Sequence, residues 1–246
     1  MRVLKTVNNK LFIIAETSGT TYGPHDLWTS DGTSSGTVHL KTFGDNIDSE
    51  IQFTTSLNNE LYLVVVSPDS YFKSVYKSDG TIAGTKMLFD GASHQTMPNL
   101  DIDTITTCGD YVYFLVQTYD GIDKELWRTD GVTTEKIAGP ETNDFSNLRE
   151  LTCLKSSLFY LAETFPHKIW VTNKTLTEPL QLDINVLNAQ NLENYNFIEK
   201  LGTTDTNLYF SARTDNSGKE LYITTPNFST LSISDNNNNS NINSIR

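Results

Sequence analysis

The residues best equipped for chemistry are carboxylates. Asp45-x-x-Asp48-x-Glu50, Asp101-x-Asp103 and Asp215-Asn216-Ser217-Gly218 group hard oxygen donors, the ligand type Ca2+ takes. None follows the twelve-residue, helix-flanked loop of a dedicated calcium site, so solvated acidic loops are the favoured reading, and neither metal nor cofactor is expected. Paired carboxylates roughly 5 to 9.5 Å apart also hydrolyse glycosidic bonds, but no pair is singled out by its setting. His25, His39, His94 and His167 stand at no ligand spacing, no nucleophile elbow surrounds any Ser, and no glycine loop for phosphate occurs. No catalytic residue is named, and a non-enzyme is expected.

Cys108 and Cys153 have no partner at metal spacing and are too few for a disulfide framework. They read as two buried thiols acting as small hydrophobes. From Met1 to Val7 apolar and polar residues alternate, and no leader-like apolar run follows. The expectation is a protein without a signal peptide, either cytoplasmic or exported by a leaderless route. The 246 residues carry 18 Lys plus Arg against 30 Asp plus Glu, a net charge of −12, which argues against a nucleic-acid partner. No run approaches the roughly 18 apolar residues of a membrane span. With 37% hydrophobic and 11% aromatic residues the chain is too rich in core formers for disorder.

What must position any site is a repeat. Asp26-Leu27-Trp28-Thr29-Ser30-Asp31-Gly32-Thr33, Ser74-Val75-Tyr76-Lys77-Ser78-Asp79-Gly80-Thr81 and Glu125-Leu126-Trp127-Arg128-Thr129-Asp130-Gly131-Val132 nearly superimpose. Lys168-Ile169-Trp170-Val171-Thr172-Asn173 and Glu220-Leu221-Tyr222-Ile223-Thr224-Thr225 are decayed copies. The anchors Trp28, Tyr76, Trp127, Trp170 and Tyr222 fall at intervals of 48, 51, 43 and 52. Upstream of each anchor a short Asn, Asp, Ser or Gly turn separates two apolar runs, as in Val7-Asn8-Asn9-Lys10-Leu11, which is how a tight hairpin reads. The outcome is four short strands per unit, the size of a propeller blade. The anchor ring is expected to fill the gap between blades, and Trp28→Ala or Trp127→Ala to cost about 3 to 5 kcal/mol.

The Leu-Trp-x-x-Asp-Gly-Thr string resembles the bacterial ELWxxDGT, or hyalin-like, repeat. Glu125 to Gly131 is the nearest match, and the fourth and fifth units have lost Asp-Gly-Thr. The resemblance implies a β-propeller-like array in exported or surface-associated proteins, with no reaction attached to the motif.

The expected fold is therefore all-β, a five-bladed β-propeller of four-stranded antiparallel blades, with an open five-unit array as the alternative. A single domain over 1–235 is divided near 1–44, 45–98, 99–146, 147–190 and 191–235, with a last strand near 230–234. Residues 236–246 read as a disordered Asn-rich tail, although 242–245 is one segment able to fold back and close the last unit. Only 183–195 has the pattern of a helical turn. Loops joining second and third strands, and the links between blades, share one face. They carry Tyr22, Tyr71, Phe72, Tyr119, Phe165 and Tyr195 together with Asp45, Asp48, Asp101 and Asp103. Aromatics beside carboxylates on a rigid scaffold suit recognition of a macromolecule. The expected function is a binding or scaffold module for a protein partner, a secreted effector among the options. A lectin-like propeller is the alternative, and a glycan-processing enzyme the second.

Overall fold

The computed structural model describes residues 2–16, 25–44, 50–66, 72–94, 102–117, 123–139, 147–162, 168–182, 198–214, 218–226 and 242–245. Five four-stranded sheets are present, each made of four strands consecutive in sequence. The first is β1 (Arg2–Val7), β2 (Lys10–Glu16), β3 (His25–Ser30) and β4 (Val38–Phe43). The second is β5 (Glu50–Leu57), β6 (Glu60–Val66), β7 (Lys73–Ser78) and β8 (Lys86–Phe89). The third is β9 (Ile102–Cys108), β10 (Tyr111–Gln117), β11 (Lys124–Thr129) and β12 (Thr134–Ala138). The fourth is β13 (Arg149–Leu154), β14 (Ser157–Ala162), β15 (Lys168–Thr172) and β16 (Leu180–Leu182). The fifth is β17 (Ile198–Thr203), β18 (Leu208–Thr214), β19 (Gly218–Thr224) and β20 (Ile242–Ile245). The only helical piece among the described residues is a 3-10 turn, Gly91–His94. The segment 183–195, given a helical turn by pattern, lies outside them.

Local chemistry explains the meander. The first hairpin of each of three sheets turns on two residues of positive φ: Asn8 and Asn9 (50° and 58°), Asn58 and Asn59 (49° and 63°), and Lys155 and Ser156 (47° and 65°). That double left-handed turn matches the twist of paired strands, and Asn tolerates it better than Lys or Ser. In the third sheet Gly109 opens the turn at φ 58°. A bulge interrupts the first strand at Val3/Lys5, Ile51/Phe53, Arg149/Thr152 and Ile198/Lys200, recurring near the same place.

Two compact units emerge: Met1–Thr107 with Tyr111–Gly121 and Trp127–Glu135, and Cys108–Asp110 with Ile122–Leu126 and Lys136–Arg246. In the second, third and fourth sheets the second strand is covered on both faces, so it reads as a continuous apolar run. Leu61, Tyr62, Leu63, Val64 and Val65 are all buried, as are Val112 to Val116 and every residue of β14. The largest fully buried rings lie mainly on these strands: Phe12, Tyr62, Tyr113, Phe114, Phe159, Tyr160 and Phe210.

The third-strand anchors are placed unequally. Tyr76 meets Phe43 of the preceding sheet edge-on, with centroids 5.0 Å apart, and Trp127 meets Phe89 of the preceding sheet at 5.1 Å. Tyr222 is fully buried in a cluster that joins Leu161, Ile169 and Val171 of the fourth sheet to Leu208 and Phe210 of the fifth. Trp28 is half-buried and lies 5.0 Å from His39 of its own sheet, and Trp170 is half-buried on β15.

First strands of neighbouring sheets are tied at one recurring position. Thr55 and Thr107 share a hydroxyl hydrogen bond of 2.7 Å, and Thr107 also donates to the Ser56 carbonyl at 3.0 Å. One residue further on, Cys108 and Cys153 form a disulfide. Thr203 then donates to the Cys153 carbonyl at 3.0 Å. The reading of two free thiols is therefore corrected. Their separation of 45 residues falls within the repeat interval, with Cys108 the last residue of β9 and Cys153 the last but one of β13. The Cα atoms are 5.3 Å apart, inside the range a disulfide spans.

A second correction concerns the C-terminal end. Residues 230–234, expected as the last strand, lie outside the described residues. The fourth strand of the fifth sheet is β20, within the stretch assigned to a tail, and it pairs Ile245 with Leu221 and Ile242 with Thr224. The Asn run at 236–239 masks this strand by composition, while β-branched Ile242 and Ile245 favour it. This is the folding back that the tail reading left open.

Candidate functional site

In an antiparallel meander the first and third turns leave a sheet at one end, and the second turn and the outgoing link at the other. The first end is described in detail. In the first sheet Asp31 Oδ1 accepts hydrogen bonds from the Thr33 amide (2.9 Å) and hydroxyl (2.7 Å). The Gly36 amide donates to Thr33 Oγ1 at 2.9 Å, and the Thr37 hydroxyl donates to the Thr33 carbonyl at 2.7 Å. The second sheet repeats this around Asp79, Thr81, Gly84 and Thr85 with distances of 2.8, 2.7, 2.9 and 2.7 Å. Asp130 does the same work in a shorter turn, accepting from the Val132 and Thr133 amides at 2.8 and 2.7 Å.

The fourth sheet keeps a turn of this kind without the Asp-Gly-Thr string. Its motif reads as lost, yet Asn173 Oδ1 accepts from the Thr175 amide and hydroxyl, both at 2.9 Å, and from the Leu176 amide at 3.1 Å. An Asn carbonyl offers the same acceptor as an Asp carboxylate, so the turn survives the exchange. Asp-Gly-Thr is thus a turn device, with its carboxylates engaged internally. The Thr33 hydroxyl and then its amide hold Asp31 below the usual carboxylate value. The Thr81 hydroxyl, working against burial, does so for Asp79, and the Thr133 amide for Asp130.

Gly84 belongs to this device. A Cβ there would stand 2.0 Å from Asp79 Oδ1, and at Gly36 the same distance from Asp31 Oδ1. Gly84→Ala is expected to push the carboxylate off its Thr81 donors and cost about 1 to 3 kcal/mol, the usual range for overpacking. Urea unfolding checks it; a variant as stable as the parent would mean the turn is not held by Asp79.

The same turns rest on the preceding sheet, a feature the sequence reading missed. Lys10 Nζ donates to the Asp79 carbonyl at 3.3 Å, and a Cβ on Gly80 would meet the Lys10 side chain at 2.8 Å. A Cβ on Gly131 would meet the Tyr62 hydroxyl at 2.5 Å. Beneath it Lys77 pairs with Glu60 at 2.9 Å, and burial followed by the Glu60 charge raises the Tyr62 hydroxyl far above its ordinary value. Lys174 pairs with Asp110 of the third sheet's hairpin turn at 2.7 Å. The sequence signal for these contacts was the recurrence of glycine at 80 and 131, where the structure places φ at 83° and 91°.

One further cluster has the residue types of acid–base chemistry. Buried Asp26 Oδ1 lies 2.5 Å from the Thr42 hydroxyl and 3.2 Å from His39 Nε2, and Thr42 lies 3.2 Å from that same nitrogen. A nucleophile relay needs the acid on one imidazole nitrogen and the hydroxyl on the other. Here both meet Nε2, so the triangle fastens β3 to β4. Among the described residues no group of three or more His, Cys, Asp or Glu is placed to hold a metal ion.

At the other end, Tyr22, Tyr71, Tyr119, Phe165, Tyr195, Asp45, Asp48 and Asp101 lie outside the described residues. Phe72 and Asp103 are described. Phe72 is half-buried against the cluster of Val64, Val75, Phe89, Ile102, Phe114 and Val116, which makes it a packing ring. Asp103 stands on β9 rather than in the preceding link, half-buried with Oδ1 shut from solvent. The Lys73 ammonium donates to the Ile102 carbonyl at 3.3 Å beside both.

No family model matches the chain, and no curated protein does. Solved structures do. Oligopeptidase B from Leishmania major matches at 12% identity and a TM-score of 0.56, covering 94% of this chain and 32% of that one. The chain has a β-propeller fold. The likeness extends to the fold alone at that identity. One of two prolyl endopeptidases analysed together matches at 11% identity and a TM-score of 0.46, over 88% of this chain and 29% of the other. The WD40 domain of SCAP from fission yeast matches at 10% and 0.41, over 95% and 63%. The propeller thus spans about a third of the length of the two peptidase chains. No described helix is long and apolar enough to cross a membrane.

Proposed function

We propose that this propeller is a non-enzymatic binding module that recognises a basic surface on another protein through the connections at the variable end of its blades. The observation that supports it most is the contrast between the two ends of each sheet. At one end the third turn of each of the first four sheets is built on a side-chain oxygen, of Asp31, Asp79, Asp130 or Asn173, that is taken up by donors within the turn. At the other, the connections at 17–24, 67–71, 118–122, 163–167 and 215–217 differ in length and sequence and carry Tyr22, Tyr71, Tyr119 and Phe165. The links bring Asp45, Asp48, Asp101 and Tyr195. Five unlike connections suit one extended partner better than five equal sugar pockets. The shared turn chemistry also supports grouping the blades with the ELWxxDGT repeats, including the fourth, whose Asn173 stands in for Asp.

A net charge of −12 steers a basic partner, so association slows as salt screens it. The test is capture from source lysate by the intact chain and by Tyr119→Ala and Tyr195→Ala variants, at low and high salt. A partner retained by the parent, weakened by either variant and by salt, is the expected result. Capture indifferent to all of these, or selective binding on a glycan array, would overturn the proposal.

A further inference from the structure

We propose that Asn173 is the acceptor of an N-linked glycan when the chain matures in a secretory compartment. The exchange of Asp for Asn in the fourth turn leaves the motif's Thr two residues on, and so writes Asn173-Lys174-Thr175, the acceptor pattern for glycosylation. In the three other turns the corresponding residue is Asp31, Asp79 or Asp130, and none has an amide nitrogen to modify.

The geometry fits that chemistry. Thr175 donates its hydroxyl to Asn173 Oδ1 at 2.9 Å, which folds the acceptor and its Thr into one local turn. Three hydrogen bonds that build the turn end on Oδ1, and a substituent on Nδ2 leaves these three in place. Nδ2 donates to Ser157 Oγ at a long 3.4 Å, and a glycosyl link removes only one of its two hydrogens. Lys174 and Thr175 are exposed, and Asn173 is half-exposed, so the turn is open to an enzyme.

An independent observation points to the compartment. Cys108 and Cys153 are joined as a disulfide, a bond that persists in oxidising, secretory surroundings. The transfer itself needs a lipid pyrophosphate-linked oligosaccharide. Asn173 Nδ2 forms a bond to C1 of the first sugar, the C1–O bond to pyrophosphate breaks, the lipid pyrophosphate leaves with the electron pair, and an amide proton passes to base.

The full chain is sent into the secretory pathway of a eukaryotic host. Asn227→Gln and Asn238→Gln remove the two other acceptor patterns, Asn227-Phe228-Ser229 and Asn238-Asn239-Ser240. The expected result is a single glycoform whose mobility shift disappears with peptide N-glycosidase, with residue 173 recovered as the deamidated product. The shift is lost in Asn173→Asp and Thr175→Ala and kept in Thr175→Ser. Asn173→Asp restores the carboxylate used by the other turns, so its loss of glycan is not a loss of fold. Secreted or lumen-retained chain that holds its disulfide and leaves Asn173 unmodified would overturn the assignment.

Discussion

Reduction of the Cys108–Cys153 bond is expected to lower the unfolding free energy by about 4 kcal/mol, from the loop-closure entropy of its 45-residue separation. Against a total of roughly 5 to 15 kcal/mol for a domain, that is a large fraction. The bond joins the first strands of the third and fourth sheets, β9 and β13, whereas β9 is tied to β5 of the second sheet by hydrogen bonds such as that between Thr55 and Thr107. A hydrogen bond of that kind contributes about 0.5 to 1.5 kcal/mol net. Urea unfolding with and without reductant reads the difference. The Cys108→Ser, Cys153→Ser double variant should match the reduced parent and ignore reductant. Equal midpoints for oxidised and reduced parent would show that the bond does not limit the unfolded chain. Cys108 is buried, so reduction is expected to proceed through opened forms and to quicken in mild denaturant.

Much of this architecture was legible because the repeat is local. A two-residue Asn-Asn turn between apolar runs specifies a hairpin by itself, and Asn8-Asn9 and Asn58-Asn59 do adopt the double left-handed turn. The anchors set the phase of the third strands by recurrence alone. What stayed hidden depends on contacts between repeats. Cys108 and Cys153 are one repeat apart, but a spacing near the period does not reveal which face each thiol presents. Docking of Gly80 on Lys10 and of Gly131 on Tyr62 joins residues about 70 positions apart with no shared motif. The fourth turn escaped notice because a motif is a string, whereas the turn needs only a side-chain acceptor at 173 and a Thr at 175. Phe72 read as a recognition ring since a loop position does not tell which way a side chain turns. The eight remaining candidates at the variable end are named by composition and position alone.

The same distinction decides where a core substitution costs most. The largest loss is expected not at Trp28 but at Phe210, on the second strand of the fifth sheet. Phe210 is fully buried and stacks on Tyr222 with centroids 5.4 Å apart and planes 14° from parallel. Its cluster takes in Leu161, Ile169 and Val171 of the fourth sheet. Phe210→Ala removes that area and leaves a cavity walled by two sheets, an expected cost of about 3 to 5 kcal/mol. The Tyr222 ring loses its stacking partner as well, a further term of about 0.5 to 1.5 kcal/mol within that range. Trp28 is half-buried and its ring neighbour is His39 of its own sheet, so Trp28→Ala removes less area and opens no closed cavity. It should cost under half as much, and Trp127→Ala, packed on Phe89, should fall between the two. Unfolding midpoints of the three variants, with equal denaturant dependence, test the order. A Trp28→Ala loss equal to that of Phe210→Ala would return the decisive packing to the third strand.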